Sequence, residues 1–458
     1  MTQLQENLRR LPTVKVDVVE AGQRGLRGWQ KYVIGKHIKI SPSTLQAYCL
    51  AAWDPVAFDL LLLAATAEIA DRIQRRPSLG WGRDISIRLP VHLVRSWRDH
   101  AVSDHLIAAL ELLTGDRWNI KFAPRKRPVV PPLQGFLSMP REASVVLPFS
   151  DGLDSRMVAA LMSAQVGDEL VRVRLGKKFG DWRGARDKTL PFTAVPYQVR
   201  GANKRFVETT ARSRGFKFAI VSGLAAYLFK GRRVIVPESG QGALGPVLVP
   251  VGHAYEDYRN HPRFTGKIES FLFALLDHRI CFEFPRLWYT KGETLKAFLA
   301  SHKASEDWLS TRSCWQQSRQ VSIDGQRRQC GFCAACMLRR LSIHAAGVEE
   351  PVTTYVCESL AASSVELSLA SGYSKFGKAQ RDYALAGTLH LDHLASLRNT
   401  TEHLQSLKRN ARQLSKSLGI SGEDAEAKLA RLLKQHELEW KSFLEHIGPQ
   451  SFVAKWTS

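Results

Sequence analysis

The chain is short of acidic residues: 43 Asp and Glu stand against 65 Lys and Arg, a formal net charge of +22 over 458 residues. It also lacks a long apolar run. The longest, around residues 60–69, is flanked by Asp59 and Asp71 and cut by Glu68, well below the roughly 20 residues a membrane span needs. The opening residues 1–6 carry no basic segment followed by an apolar one, so no secretory signal is expected and a cytoplasmic protein with no membrane association is. Internal repeats and low-complexity tracts are absent. So is the lysine-bearing phosphate loop of Walker-type NTPases, which argues against that class.

What remains is globular composition, with 44% hydrophobic and 24% charged residues, in a chain long enough for two or three cores. The excess of positive charge suits an anionic partner, whether nucleic acid, nucleotide or acidic protein, or simply a basic solvated surface. Arg125, Lys126 and Arg127 lie between prolines and read as a loop. Arg172, Arg174, Lys177 and Lys178 leave a strand and are candidates to face phosphates.

Residues 1–140 read as an N-terminal α+β domain. Ile85, Ile87 and Leu89 alternate as in a half-buried strand, while 57–75 and 103–113 have helical spacing. The proline-rich, basic run 124–132 fits neither helix nor sheet and marks a boundary. Residues 141–350 alternate strands (144–147, 170–175, 197–199, 234–236) with helices (from about 155, and 214–229), the pattern of an α/β parallel sheet that binds ligands beyond its carboxyl strand ends. Another strand is expected at 352–356, and 351–458 is otherwise a helical region whose last helix starts at Ser421 with Asp424 three residues on.

Two motifs carry chemistry. Ser144-Val145-Val146-Leu147-Pro148-Phe149 runs into Ser150-Asp151-Gly152-Leu153-Asp154-Ser155 and then an apolar helix start. A strand, a short polar loop and a helix aim free N–H groups and the positive helix end at an anion, and an acidic residue there can hold the Mg²⁺ of a nucleoside triphosphate. The bland alternative is an ordinary β–α turn. The second motif is Cys314 followed by Cys330, Cys333 and Cys336, four thiolates able to converge on Zn²⁺; an iron–sulfur cluster competes. Cys49, Cys281 and Cys357 read as single buried thiols, disulfides being the weaker alternative.

The loop resembles the Ser-Gly-Gly-x-Asp-Ser signature of PP-loop enzymes, which bind ATP through its pyrophosphate; Asp151 stands where glycine is usual. Loop and cysteines together resemble the QueC-like, or 7-cyano-7-deazaguanine synthase, family over about residues 143–348. The resemblance includes Thr311-Arg312-Ser313-Cys314, Cys330 through Arg339, and Thr290-Lys291-Gly292-Glu293. Residues 113–118, 212–214 and 237–240 are similar to the branch of that family found in bacterial anti-phage systems such as Qat.

The resemblance implies an adenine nucleotide alpha hydrolase-like fold for 141–350, with ATP, Mg²⁺ and Zn²⁺ as cofactors. It implies an ATP-dependent ligase that adenylates a 7-deazaguanine carboxylate and passes the acyl group to ammonia or to the terminal amine of a partner protein from the same defence operon. In that scheme Ser150, Asp151, Gly152, Leu153, Asp154 and Ser155 bind ATP. Asp154, Arg214 and Lys291 act on magnesium and the leaving group; Glu238, Ser239 and Gly240 meet the deazapurine. Surface ion pairing is the bland role for each charged residue, and Arg339 and Arg340 are equally readable as solvated helix residues. Two other readings stay open: a tRNA-modifying PP-loop enzyme using the basic charge to hold RNA, and a non-catalytic partner-binding module.

Overall fold

The computed structural model describes residues 11–457 except 50, 53, 78–79, 128–144, 177–192, 203–204, 253, 302–305, 317, 324 and 400. Ser144, Lys177, Lys178 and most of the proline-rich run therefore lie outside the described residues. The chain is mixed α/β with parallel sheets and many helices. It divides into two compact units, one of Met1–Phe149, Val166–Val236 and Asp257–Glu283, the other of Ser150–Gln165, Pro237–Glu256 and Phe284–Ser458. No described helix is long and apolar enough to cross a membrane.

The first unit holds two parallel sheets. In one, β1 (Thr13–Val19), β2 (Gln30–Val33), β4 (Asp84–Val91) and β5 (Arg117–Pro124) lie in the order β2-β1-β4-β5, every pairing parallel. This corrects the α+β expectation for the N-terminal region. Helices at Pro55–Arg72 and His100–Thr114 return the chain for parallel pairing at β4 and β5, and such crossovers define α/β architecture. The alternation read in β4 holds: Ile85, Ile87 and Leu89 are buried, while Arg88 turns to the other face and bonds Asp17 of β1 at 2.7 Å.

Pro55–Arg72 begins with Asp54 accepting from Val56 N–H and with proline at its first position, both favourable helix starts. It is buried on nearly every side, packed against β4 and against the helix Arg214–Leu228. Its last turn is locked by a buried quartet in which Asp71 and Asp116 each bond both Arg76 and Arg83. Removing one member would strand a buried charge, at about 3–5 kcal/mol. Asp71 also accepts the Ser213 N–H at 2.8 Å, which fixes the start of Arg214–Leu228.

The other sheet contains β6 (Val145–Pro148), β7 (Leu170–Leu175), β8 (Thr193–Val195), β10 (Arg233–Ile235) and β11 (Cys281–Glu283), in the parallel order β11-β10-β6-β7-β8. With β7 and β8 on one side of β6 and β10 and β11 on the other, the carboxyl end of β6 is at the topological switch point, where open parallel sheets take ligands. Tyr197–Val199 is a strand, β9, but does not extend this sheet; it pairs antiparallel with β3 (Ile38–Ile40). Pro196, lacking an N–H, separates it from β8 and turns the chain away. Cys281 starts edge strand β11 and is exposed, contrary to its reading as a buried thiol, whereas Cys49 and Cys357 are buried.

The second unit is built on helices at Leu153–Val166, Lys291–Ser301, Ala334–Ala346, Lys378–Ser396, Thr401–Leu418 and Gly422–Ile447. Ser421 caps the last of these, accepting from Asp424 N–H at 3.1 Å. One core gathers Met337, Leu341, Leu391, Trp440 and Phe443 around the cysteines; another joins Leu153 and Met157 to Leu295, Phe298 and Ile343. The strand expected at 352–356 is instead a 3₁₀ turn at Val352–Thr354, followed by single bridges at Tyr355 and Cys357. Pro351 starts that turn, its carbonyl accepting from Thr354 N–H at 2.9 Å.

Candidate functional site

The Ser150–Ser155 loop ties itself with its serines. Ser155 Oγ accepts from Ser150 N–H at 3.2 Å, lies 2.9 Å from both Ser150 Oγ and the Ser150 carbonyl, and is 3.0 Å from the Gly152 carbonyl. The loop then opens the 14-residue helix Leu153–Val166, whose first-turn N–H groups have no partner four residues back. Neither Asp151 nor Gly152 adopts a left-handed angle; the non-glycine residues that do, among those described, are Ala211, Lys230 and Asp277. Aspartate at 151 thus needs no unusual backbone, and its exposed side chain leaves the loop's own bonds intact.

Asp154 and Lys291, both singled out from the sequence, are brought together. One Asp154 oxygen bonds the Lys291 ammonium, while the other is buried with no hydrogen-bond partner among the described residues. The pair is little exposed, at 6% for the lysine side chain and 14% for the aspartate. Lys291 opens its helix from a reciprocal cap: Glu293 accepts the Thr290 N–H at 2.8 Å and Thr290 Oγ1 accepts the Glu293 N–H at 3.0 Å. The Thr-x-x-Glu spacing is the sequence signal of such a capping box. A buried cation, a carboxylate oxygen to spare and a helix amino end suit a magnesium-bound phosphate chain.

The four cysteines converge. Their sulfurs all lie within 4.8 Å of one another, and Cys330 and Cys336 are 3.7 Å apart, against about 3.8 Å for the edge of a tetrahedron with Zn–S near 2.3 Å. Backbone N–H groups of Gln316 and Cys330 point at Cys314 Sγ, at 3.3 and 3.2 Å, and that of Cys333 at Cys330 Sγ, at 3.3 Å. Gly331 makes the turn at φ +85, where a Cβ would meet the Cys357 carbonyl at 2.9 Å, so only glycine fits. Burial lifts the Cys330 and Cys336 thiols well above their usual range, while Cys314, accepting from the other three thiols, is pushed far below it. These cysteines are positioned to bind a metal ion.

Arg339 and Arg340 are not solvated, as they were readable from sequence. Arg339 is fully buried and bonds Glu350 and Thr311 Oγ1; Arg340 donates to the carbonyls of Cys357 and Glu358 at 2.7 and 2.9 Å. Arg312, two residues before Cys314, donates its N–H to the Asp151 carbonyl at 2.7 Å and its guanidinium to Arg328 O at 2.8 Å. The cysteine knot is thereby coupled to the Ser150–Ser155 loop within one unit, a link that spacing alone could not reveal.

Glu238 is half-buried and folds over Gly242, where a Cβ would sit 2.2 Å from Glu238 Oε1. Ser239 is fully buried, and its hydroxyl has no partner among the described residues. Gly240 is pressed against the Leu287 carbonyl, 2.1 Å from where a Cβ would be.

Arg214 belongs to the first unit. There it lines a cavity of about 320 Å³ with Glu68, Arg72, Tyr197, Ser213 and Lys217. Glu68 accepts from Tyr197 and Lys217, each at 2.8 Å; burial works to raise its pKa, but Lys217, Tyr197 and Arg72 outweigh this and hold it low. Arg214 is exposed at the residue level, yet ringed by protein, and that desolvation with the like charge of Arg259 lowers its pKa. Ser213 Oγ is buried and unpartnered among the described residues. Three cations against one carboxylate give the cavity a positive excess suited to an anion. Arg174 is buried, and Arg172 lies over the Phe149 ring.

No protein-family model matches this chain, and no curated protein matches it significantly.

Proposed function

We propose that this protein is an ATP-consuming, pyrophosphate-releasing ligase of the PP-loop class, QueC-like in chemistry, with zinc held by Cys314, Cys330, Cys333 and Cys336. The observation that carries the reading is the Asp154–Lys291 pair at the amino end of the Leu153–Val166 helix, with one carboxylate oxygen left over. Asp154 would hold Mg²⁺, and Lys291 and the loop N–H groups would take the β- and γ-phosphates. Arg214 belongs to the positively charged cavity of the first unit, which would take an anion of its own. Closed tetrahedral thiolate sites are structural, so zinc would brace the knot from which Arg312 holds Asp151.

The substrate is a 7-deazaguanine carboxylate, for which Glu238, Ser239 and Gly240 are the candidate contacts. Its oxygen attacks the α-phosphorus of ATP, the bond to the β-phosphate oxygen breaks, and pyrophosphate leaves. An amine then attacks the acyl carbon; AMP departs with the C–O electron pair, the amine loses a proton, and an amide remains. The acceptor is ammonia or the terminal amine of a partner protein in anti-phage defence. The test incubates the protein with ATP, Mg²⁺ and 7-carboxy-7-deazaguanine, with ammonia in one tube and neighbouring gene products in another. Pyrophosphate is expected, with an amide in the first tube, or a nitrile if a second ATP adenylates the amide oxygen and AMP carries it away, or added mass on a partner in the second. No pyrophosphate in either tube overturns the reading.

A further inference from the structure

The segment that presents Lys291 is held by the C-terminal helix. Thr290 Oγ1 donates to Glu439 Oε1 at 2.6 Å. Lys291 N–H donates to Gln241 Oε1 at 2.7 Å, and the Gln241 amide in turn bonds His436 Nδ1 at 2.8 Å. His436 Nε2 is 2.8 Å from the Leu391 carbonyl; that carbonyl can only accept, so Nε2 carries the proton and Nδ1 is left to accept from Gln241. One turn earlier, Arg431 donates to the Trp288 carbonyl at 2.9 Å and to Glu293 at 2.8 Å. Arg431, His436 and Glu439 all stand on Gly422–Ile447, and their bonds fall on Trp288, Thr290, Gln241 and Glu293 around the lysine that bonds Asp154. Gly292 allows this approach, for a Cβ there would lie 2.7 Å from Ala345 Cβ and 3.2 Å from Glu439 Oε1.

We propose that Gly422–Ile447 is a working part of the Asp154–Lys291 site, with Glu439 and His436 as positioning residues that fix the Thr290–Lys291 peptide and so set where the lysine ammonium sits. The catalytic consequence rests on the reading that Lys291 serves a nucleotide phosphate; the positioning itself rests on these contacts. A C-terminal region that would otherwise be a scaffold becomes a control on the site.

Glu439 also gives that control a pH dependence. Its Oε2 is buried with no partner among the described residues, and burial, with Glu293 adding like charge, raises its pKa to about 7. The charged groups bearing on it are Glu293 and Lys296 from the Lys291–Ser301 helix and Arg431 from its own helix; the Ala334–Ala346 helix brings Ala345 to the same place. Below about pH 7 the carboxyl is neutral and compatible with Glu293. Above it, the carboxylate accepts more strongly from Thr290 and Gln435 but stands against the Glu293 carboxylate, so the hold on the peptide changes through about pH 7.

The test compares wild type, Glu439→Ala and Glu439→Gln in the full chain, by pyrophosphate release across pH 6–8 and by hydrogen exchange of residues 288–293. Displacing a phosphate-binding group by about an ångström costs on the order of 10²-fold in rate. Glu439→Ala is therefore expected to lower kcat at least about tenfold, with KM changing less, and to speed exchange in 288–293. Glu439→Gln, which mimics the neutral acid, should keep kcat and exchange and lose the pH dependence that wild type shows around pH 7. If Glu439→Ala does not fold, Thr290→Val removes the same contact from the other side. Wild-type kcat, pH profile and exchange in the variant that folds would overturn the proposal. If wild type releases no pyrophosphate but exchange of 288–293 still rises in Glu439→Ala and not in Glu439→Gln, the positioning stands and the ATP reading falls.

Discussion

Lys291 spends its charge on Asp154 although the two residues are 137 positions apart in sequence. Each is nearly buried, so each depends on the other for a counter-charge in the absence of a ligand. A triphosphate would relieve that dependence by giving the lysine a second anion, while magnesium would give the aspartate a second cation.

Asp154→Asn tests this directly. The variant keeps the shape of the site but leaves a buried ammonium uncompensated, which should cost up to about 3 kcal/mol of stability. MgATP should restore the lost melting temperature if its phosphates occupy the lysine, while pyrophosphate release stays at least about 10²-fold below wild type. Thermal melts with and without MgATP, beside a pyrophosphate assay, check it. A melting deficit that MgATP leaves untouched would remove Lys291 from nucleotide binding.

The cysteine knot should carry about one zinc per chain. Cys333→Ser is expected to lower the metal content and the melting temperature together, because metal binding contributes folding free energy. Since Arg312 links the knot to the Asp151 carbonyl, chelation should also speed hydrogen exchange in residues 150–155. Elemental analysis and exchange of that segment decide it; iron–sulfur absorbance or a metal-free wild type would count against zinc.

The parts of this arrangement that were legible in the sequence are those set by local pattern. The β6 strand and its loop, the helix from Arg214, the strand Leu170–Leu175 and the four cysteines follow from period, turn chemistry and spacing. The parts that were not legible depend on partners far along the chain. Arg339 reads as a solvated residue until Glu350 and Thr311 are placed around it. Tyr197–Val199 has strand composition whichever sheet it joins, and only Pro196 hinted that it would leave the parallel one. His436 and Glu439 fall on the inner face of an amphipathic helix, where nothing in their spacing names Gln241 or Thr290 as partners.

Gly240 gives a test of packing that is independent of chemistry. A methyl group at this position would stand 2.1 Å from the Leu287 carbonyl and 2.5 Å from Leu432, and a backbone carbonyl cannot swing aside as a side-chain end can. Gly240→Ala should destabilise by about 1–3 kcal/mol, the usual range for overpacking. Denaturant unfolding measures it, and a variant with wild-type stability would show that the Leu287 segment yields freely.

Stability should also fall on the acid side, for a reason located in the second unit. Burial lowers both His390 and His436 to about 4, against about 6.5 for an unfolded histidine. Above pH 6.5 both states hold these residues neutral, and their contribution is fully present. As pH falls from about 6.5 to 4 the unfolded chain takes up protons that the folded chain refuses, so each histidine withdraws about 3 kcal/mol. Glu439 works against them in the same window. Its folded pKa of about 7 means that the folded state binds its proton more readily, so it adds stability as pH falls from about 7 towards 4.5. Glu439 thus offsets part of what the two histidines withdraw, while His261 in the first unit, which burial lowers to about 3, adds to it, and variants are needed to separate the contributions. His390→Gln can still donate to the Val249 carbonyl that His390 Nδ1 now reaches at 2.7 Å, and cannot titrate. Melting temperature measured from pH 7.5 to 4.5 should fall less steeply in His390→Gln than in wild type, and more steeply in Glu439→Gln. Parallel curves for the histidine variant and wild type would mean that His390 titrates normally in the folded protein.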